Sequence, residues 1–154
     1  MGHVPVVPFS LQSVLSYKES LVDLLERQLA QLLSTRSAVE AVLVSLHQER
    51  QRIHHRLIAE RQGVLRLDRL RYYQSYLDWL GERIEAQERQ LAQLDEEIEK
   101  KRGELVSRMQ EKRVLEKLKE KAKERFMLEL ERREADLHDE MASIRFVALT
   151  RARR

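Results

Sequence analysis

The sequence has no cysteine, and only two prolines and four glycines among its 154 residues. Without cysteine there is no disulfide framework, no thiolate nucleophile and no cysteine-ligated zinc site. Scarce Gly and Pro mean scarce turns, which a compact all-β or α/β domain of this length needs in number. That balance disfavours a mixed α/β enzyme. Uninterrupted apolar runs are only a few residues long, far short of the roughly 18 of a spanning helix, so no segment is expected to cross a membrane. The opening Met1-Gly2-His3-Val4-Pro5-Val6-Val7-Pro8-Phe9 is apolar but short, broken by proline and without a basic lead, which argues against a signal peptide. Val6 stands where an N-myristoylation motif takes Ser or Thr. These absences point to a cytoplasmic address.

Charged residues are abundant and heptad spacing is the dominant pattern. Positions 11, 15, 18, 22, 25, 29, 32, 36, 39, 43, 46, 50, 53 and 57 alternate steps of four and three, and all are apolar except Lys18, Arg36 and Arg50. A stripe this narrow sustained over about seven heptads reads as a coiled-coil seam. Pro8 bars an earlier helix start, and Ser10 is placed to cap one. A second array runs from Leu70 to Leu115, interrupted by Gln87, Lys101, Arg108 and Lys112. It continues through Leu118, Ala122, Phe126, Leu130, Arg133, Leu137, Met141 and Ile144 with a mean step of about 3.6, suited to a straighter helix.

The expected fold is all-α: a long two-helix antiparallel coiled-coil hairpin with the second helix longer than the first. Within one coiled-coil domain, residues 1–9 are irregular, 10–61 form the first helix, 62–68 the turn, 69–148 the second helix and 149–154 a basic tail. Gly63 is the residue there that takes a left-handed C-cap freely, and Asp68 can cap the following helix. A single unbroken helix forming a parallel dimer is the competing arrangement. Folding back near Gly63–Val64 brings together residues whose numbers total roughly 128. Lys18 then meets Gln110 and Glu111, and Arg50 meets Asp78 and Glu82. Such seam charges, with Arg36 and Lys101, cost stability but fix register. The same register leaves residues 118–148 without a partner in the chain, and an exposed apolar stripe of that kind marks a binding surface.

Nothing in the pattern carries chemistry. His47, His54 and His55 lack the spacing and further ligands of a zinc site and read as solvated outer-face residues. Carboxylate pairs such as Glu96-Glu97 and Glu129/Glu131 have no cleft to desolvate them. There is no Gly-rich phosphate loop and no nucleophile elbow. The expectation is a protein with no catalytic residue, no metal and no cofactor. Residues 101–154 hold 16 basic and 11 acidic side chains. Lys117, Lys119, Lys121 and Lys123 are interleaved with Glu116, Glu120 and Glu124, so the segment reads as a salt-bridged face rather than a nucleic-acid site. Tyr72, Tyr73, Tyr76 and Trp79 are half of the eight aromatics. They either stiffen the hairpin after its turn or form a docking face, since Tyr and Trp concentrate at interface hot spots.

The segment Phe9-x-Leu11-x-x-Val14-Leu15-x-Tyr17-x-Glu19 resembles the opening of the bacterial FliJ family, soluble components of the flagellar type III export apparatus. Tyr73-x-x-Tyr76-x-x-x-Leu80-x-x-x-Ile84-x-x-Gln87 is similar to its central part. The stretch from Arg113 to Arg125, continuing to Asp139-Glu-Met141-Ala, is similar to its C-terminal part. The resemblance implies a stalk-like hairpin similar to the central stalk of rotary ATPases, with no enzymatic activity. It also implies binding to the hexameric export ATPase and its regulator, contact with the cytoplasmic domain of the export-gate membrane protein, and escort of export chaperones. The place would be the cytoplasm at the flagellar base, peripheral to the inner membrane through these partners, and the chain a monomer alone. The gate-binding face implied is Leu46, Tyr73, Tyr76, Leu80 and Gln87, with Arg83 where the family pattern has a small residue. The ATPase contact would fall on the stripe of Phe126, Leu130, Leu137 and Met141. Two alternatives share the fold: an injectisome stalk protein, and a structural dimeric coiled-coil adaptor.

Overall fold

A computed structural model describes residues 7–63 and 66–153. Nearly all of them lie in two α-helices, α1 (Gln12–Arg61) and α2 (Leu67–Ala152), which pack against each other, and α2 is the longer. No strand occurs among the described residues. The first six residues, the expected fold-back position Val64 and the last tail residue Arg154 lie outside the described residues.

Helix ends differ from the sequence reading in physically informative ways. Ser10 lies in a turn ahead of α1, in which the Gln12 amide donates to the Phe9 carbonyl at 3.1 Å, so helical bonding begins two residues later than expected. No described glycine has a positive φ, so Gly63 does not act as a left-handed cap. Instead α1 tightens into three-residue bonds, Gln62 N to Ala59 O and Gly63 N to Glu60 O, both 3.3 Å, which occupy carbonyls that a helix end otherwise leaves unpaired. Asp68 sits inside the first turn of α2 rather than ahead of it, where its charge complements the N-terminal dipole. At the other end α2 continues to Ala152, so residues 149–152 are helical rather than a tail.

The chain divides into two units. The larger, Leu21–Ser107, holds parts of both helices. Its core includes Val39, Leu43, Ile84 and Leu94, with Leu32, Leu46 and Leu91 packed against them. All seven are seam positions of the two arrays. Across its helices Arg36 pairs through Nε with Asp95 while its Nη1 holds Glu40 at 2.6 Å, Tyr76 bonds Glu49, and Arg69 pairs with Glu60 at 3.2 Å. The other unit comprises Met1–Ser20 and Arg108–Arg154. There Leu15 is buried and Lys18 Nζ meets Glu111 at 2.6 Å, as the register predicted. In both units partner numbers total about 128 to within a helical turn, which makes the pairing antiparallel.

Two other expectations need correction. Arg50 makes no ion pair with Asp78 or Glu82 among the described residues; its guanidinium bonds His47 on the same helix at 3.0 Å. Arg50 lies three positions after His47, about one helical turn on, so the local contact satisfies the seam charge, and His47 is half-buried rather than solvated. Lys101 likewise turns to Glu104 on its own helix, at 3.5 Å. The second correction concerns membrane length. α1 does contain 18 residues with a mean hydropathy of 1.2, long and apolar enough to cross a membrane by length and composition. Unbroken runs missed this because isolated Ser, Thr and Gln interrupt them. The charge-poor stretch is 28–48, with Arg36 and Glu40 near its middle. Here its apolar face is matched by α2 in the core just described.

Candidate functional site

In the larger unit, helical spacing turns the aromatic cluster into a ladder on α2. Residues four and three apart lie on one face, so Tyr72, Tyr76 and Trp79 line up. Tyr72 and Tyr76 stack with centroids 6.4 Å apart and planes within 5°, and Tyr76 and Trp79 at 5.8 Å and 12°. Arg83, one turn on, places its guanidinium 5.6 Å from the Trp79 ring, a cation over an aromatic face. Tyr73 leans on Tyr72 edge to face at 5.9 Å. Tyr72 and Trp79 are 67% and 50% exposed, so the ladder presents its broad side outward.

The ladder is fixed to α1 by polar contacts. The Tyr76 hydroxyl donates to Glu49 Oε1 at 3.1 Å, and Glu49 also accepts from Arg52, Nε to Oε2 at 2.8 Å. Partial loss of hydration, reinforced by the Glu49 bond, raises the Tyr76 phenol above its ordinary value. Arg52, with Tyr76 adding, holds the Glu49 carboxyl below the usual carboxylate value. Tyr76 is therefore tethered and neutral, while Tyr72 and Trp79 are free to be touched. Nearer the turn an open groove of about 700 Å³ is lined by Arg56, Glu60, Asp68, Arg69, Tyr72 and Tyr73.

Not every anticipated contact residue belongs to this surface. Leu80 is 1% exposed, among the most completely buried side chains, and cannot touch a partner without parting the helices. Its seam position explains this: the spacing that aligns it with Tyr73 and Ile84 also turns it inward. Leu46 packs on the core, and Gln87 and Tyr73 are half-buried. Asp78 is exposed. The sequence reading missed the Glu49–Tyr76 bond and the Arg83–Trp79 stack. The four-residue step from Trp79 to Arg83 and the hairpin register of 49 with 76 were the available signals.

The second candidate surface lies in the other unit. Every described residue from 131 to 153 is exposed. Leu137, Met141 and Ile144 are 59%, 54% and 68% exposed, while Phe126 and Leu130 at the stripe's start are half-buried. At its near end Glu111 is held below the usual carboxylate value by Lys18 and then by Arg108, which approaches at 3.2 Å. No group of three or more His, Asp or Glu among the described residues is arranged to hold a metal ion. Both surfaces offer apolar and cationic contact area for binding another molecule.

The family model described as flagellar FliJ protein matches residues 8–150. No curated protein and no solved structure matches the chain.

Proposed function

Because the chain belongs to the flagellar FliJ family, which makes it a flagellar export-related protein, we propose that it is a non-enzymatic coupling component of that apparatus. In this reading it seats in the hexameric export ATPase as a central stalk would, through the exposed stripe of α2. Phe126, Leu130, Leu137 and Met141 provide the contact. The observation that carries the reading is the exposure of Leu137, Met141 and Ile144, in the stretch of α2 where every described residue from 131 to 153 is exposed. A single asymmetric element inside six near-equivalent subunits cannot satisfy all six alike, so it biases them unequally. That is how a protein without an active site alters turnover.

The aromatic ladder supports a second contact, with the cytoplasmic domain of the export-gate protein, made by Tyr72, Tyr73, Tyr76 and Trp79. Leu46 and Leu80 act beneath it as packing. Export chaperones and the ATPase regulator complete the partner set, and these partners would hold the chain at the cytoplasmic face of the flagellar base. Binding of the purified export ATPase to immobilised chain tests the first contact. Leu137→Asp with Met141→Asp should abolish capture while Trp79 fluorescence stays unchanged. Undiminished capture by that variant would remove the stripe from the interface.

A further inference from the structure

The outer layers of the α2 stripe also mirror one another, and its charges complement themselves. About a midpoint between Glu129 and Leu130, Leu115 mirrors Ile144, Leu118 mirrors Met141 and Ala122 mirrors Leu137. The outer steps of three, four and four therefore read alike from either end, while at the centre Leu130 mirrors Glu129. Residues 117–125 carry five Lys or Arg against two Glu, whereas 134–142 carry four acids and no Lys or Arg. The same midpoint maps the basic block onto the acidic one. We propose that two copies of this chain pair antiparallel through residues 115–144 of α2, each basic block lying against the acidic block of the other copy.

The geometry of each chain leaves room for this pairing. Leu118, Leu137, Met141 and Ile144 are exposed, while Leu115, Ala122, Phe126 and Leu130 are half-buried. Antiparallel coiled coils place reciprocal positions of the two seams in one layer, so a stripe whose outer layers mirror each other closes those apolar layers at both ends simultaneously. A two-fold axis makes the contact self-complementary, as a closed pair requires. Near that axis Phe126 of one copy falls opposite Arg133 of the other, an aromatic face against a cation. A parallel pair in register would lay basic on basic and acidic on acidic, which is destabilising. The span covers about 45 Å at ~1.5 Å per residue, roughly four heptads. It departs from the sequence expectation of a monomer, and it stands whether or not the stripe also serves the ATPase. If it does, self-pairing and ATPase binding exclude each other.

Sedimentation equilibrium of the full chain at low salt should give a mass approaching twice 18.4 kDa with rising concentration. Lys119→Glu, Lys123→Glu and Arg125→Glu together should return it to a single-chain mass. So should Glu134→Lys, Asp136→Lys and Glu140→Lys together. Mixing the two variants should restore the pair. The chain has no cysteine, so direction is readable by oxidation. Leu118→Cys chains should cross-link to Met141→Cys chains and not to each other. A single-chain mass in the wild type up to about 1 mM, the weak end of the affinity scale, would overturn the proposal. Pairing indifferent to charge reversal, or Leu118→Cys chains cross-linking to one another, would overturn it equally.

Discussion

Replacing Leu80 by alanine separates packing from recognition. Leu80 is 1% exposed, so the substitution removes three carbons from a closed seam. At ~0.8 kcal/mol per buried methylene this is about 2.4 kcal/mol of lost transfer free energy. A residual cavity raises the total to about 3 kcal/mol, inside the range for buried Leu→Ala changes. Leu137→Ala is the control. Leu137 is 59% exposed, and alanine's better helix propensity offsets part of its small loss, so the change should stay within about 0.5 kcal/mol. Trp79 is the only tryptophan, and it lies beside Leu80, so urea unfolding followed by its fluorescence reads this part of the hairpin directly. The midpoint should fall strongly for Leu80→Ala with an unchanged slope, and hardly move for Leu137→Ala. A Leu80→Ala loss below about 1 kcal/mol would refute the seam as the source of stability, since partial exposure alone gives values that small. The result also bears on the gate contact, because any loss of partner binding on changing Leu80 would then act through the fold.

Tyr76→Phe should remove from an absorbance titration a phenol that ionises above the ordinary tyrosine value. Its raised pKa also means that the stability from the Glu49 contact is complete below pH about 10 and lost as pH rises through the folded value. Glu111 has the opposite sign. Its folded pKa is lowered, so its contribution is present above the ordinary carboxylate value and lost as pH falls through the depressed one. Unfolding measured from pH 7 down to about pH 3 should therefore show a shallower acid limb for Glu111→Gln than for the wild type. An unchanged acid limb would dismiss the Lys18 pair as a contributor. Gly63→Ala should be neutral or stabilising by about 0.4–1 kcal/mol, since the residue has no positive φ. An added Cβ there would meet only Glu60 O at 4.0 Å. A marked loss in thermal unfolding would reinstate a left-handed cap.

Much of this architecture is legible in the sequence because a heptad stripe states both which residues are buried and which direction pairing must run. Lys18 with Glu111 follows from the register alone, since their numbers total about twice the turn position. Arg50 does not, because a register names which side chains come near and not which of several polar neighbours a flexible guanidinium takes; His47 lay three residues away and was closer. The helix ends were less legible than the seam for a related reason. Gly63 permits a left-handed turn without requiring one, and the three-residue bonds of Gln62 and Gly63 do the same work in the right-handed region. The 28–48 stretch shows the cost of counting runs instead of averages. For the candidate site, the resemblance to the family singled out Tyr76 and Leu80 together, and helical phase separates them: Tyr76 stands at the seam's edge and Leu80 within it. Trp79 and Arg83 were visible as residues but not as a stack, because their contact depends on the side-chain rotamers that the packed helix imposes.

The central proposal is that this chain changes the work of the export ATPase through the exposed end of α2. Steady-state ATP turnover by the purified export ATPase, with and without an equimolar amount of this chain, tests it most directly. The account predicts faster turnover with the wild-type chain and basal turnover with the Leu137→Asp, Met141→Asp variant. Equal turnover with and without the wild-type chain would contradict it.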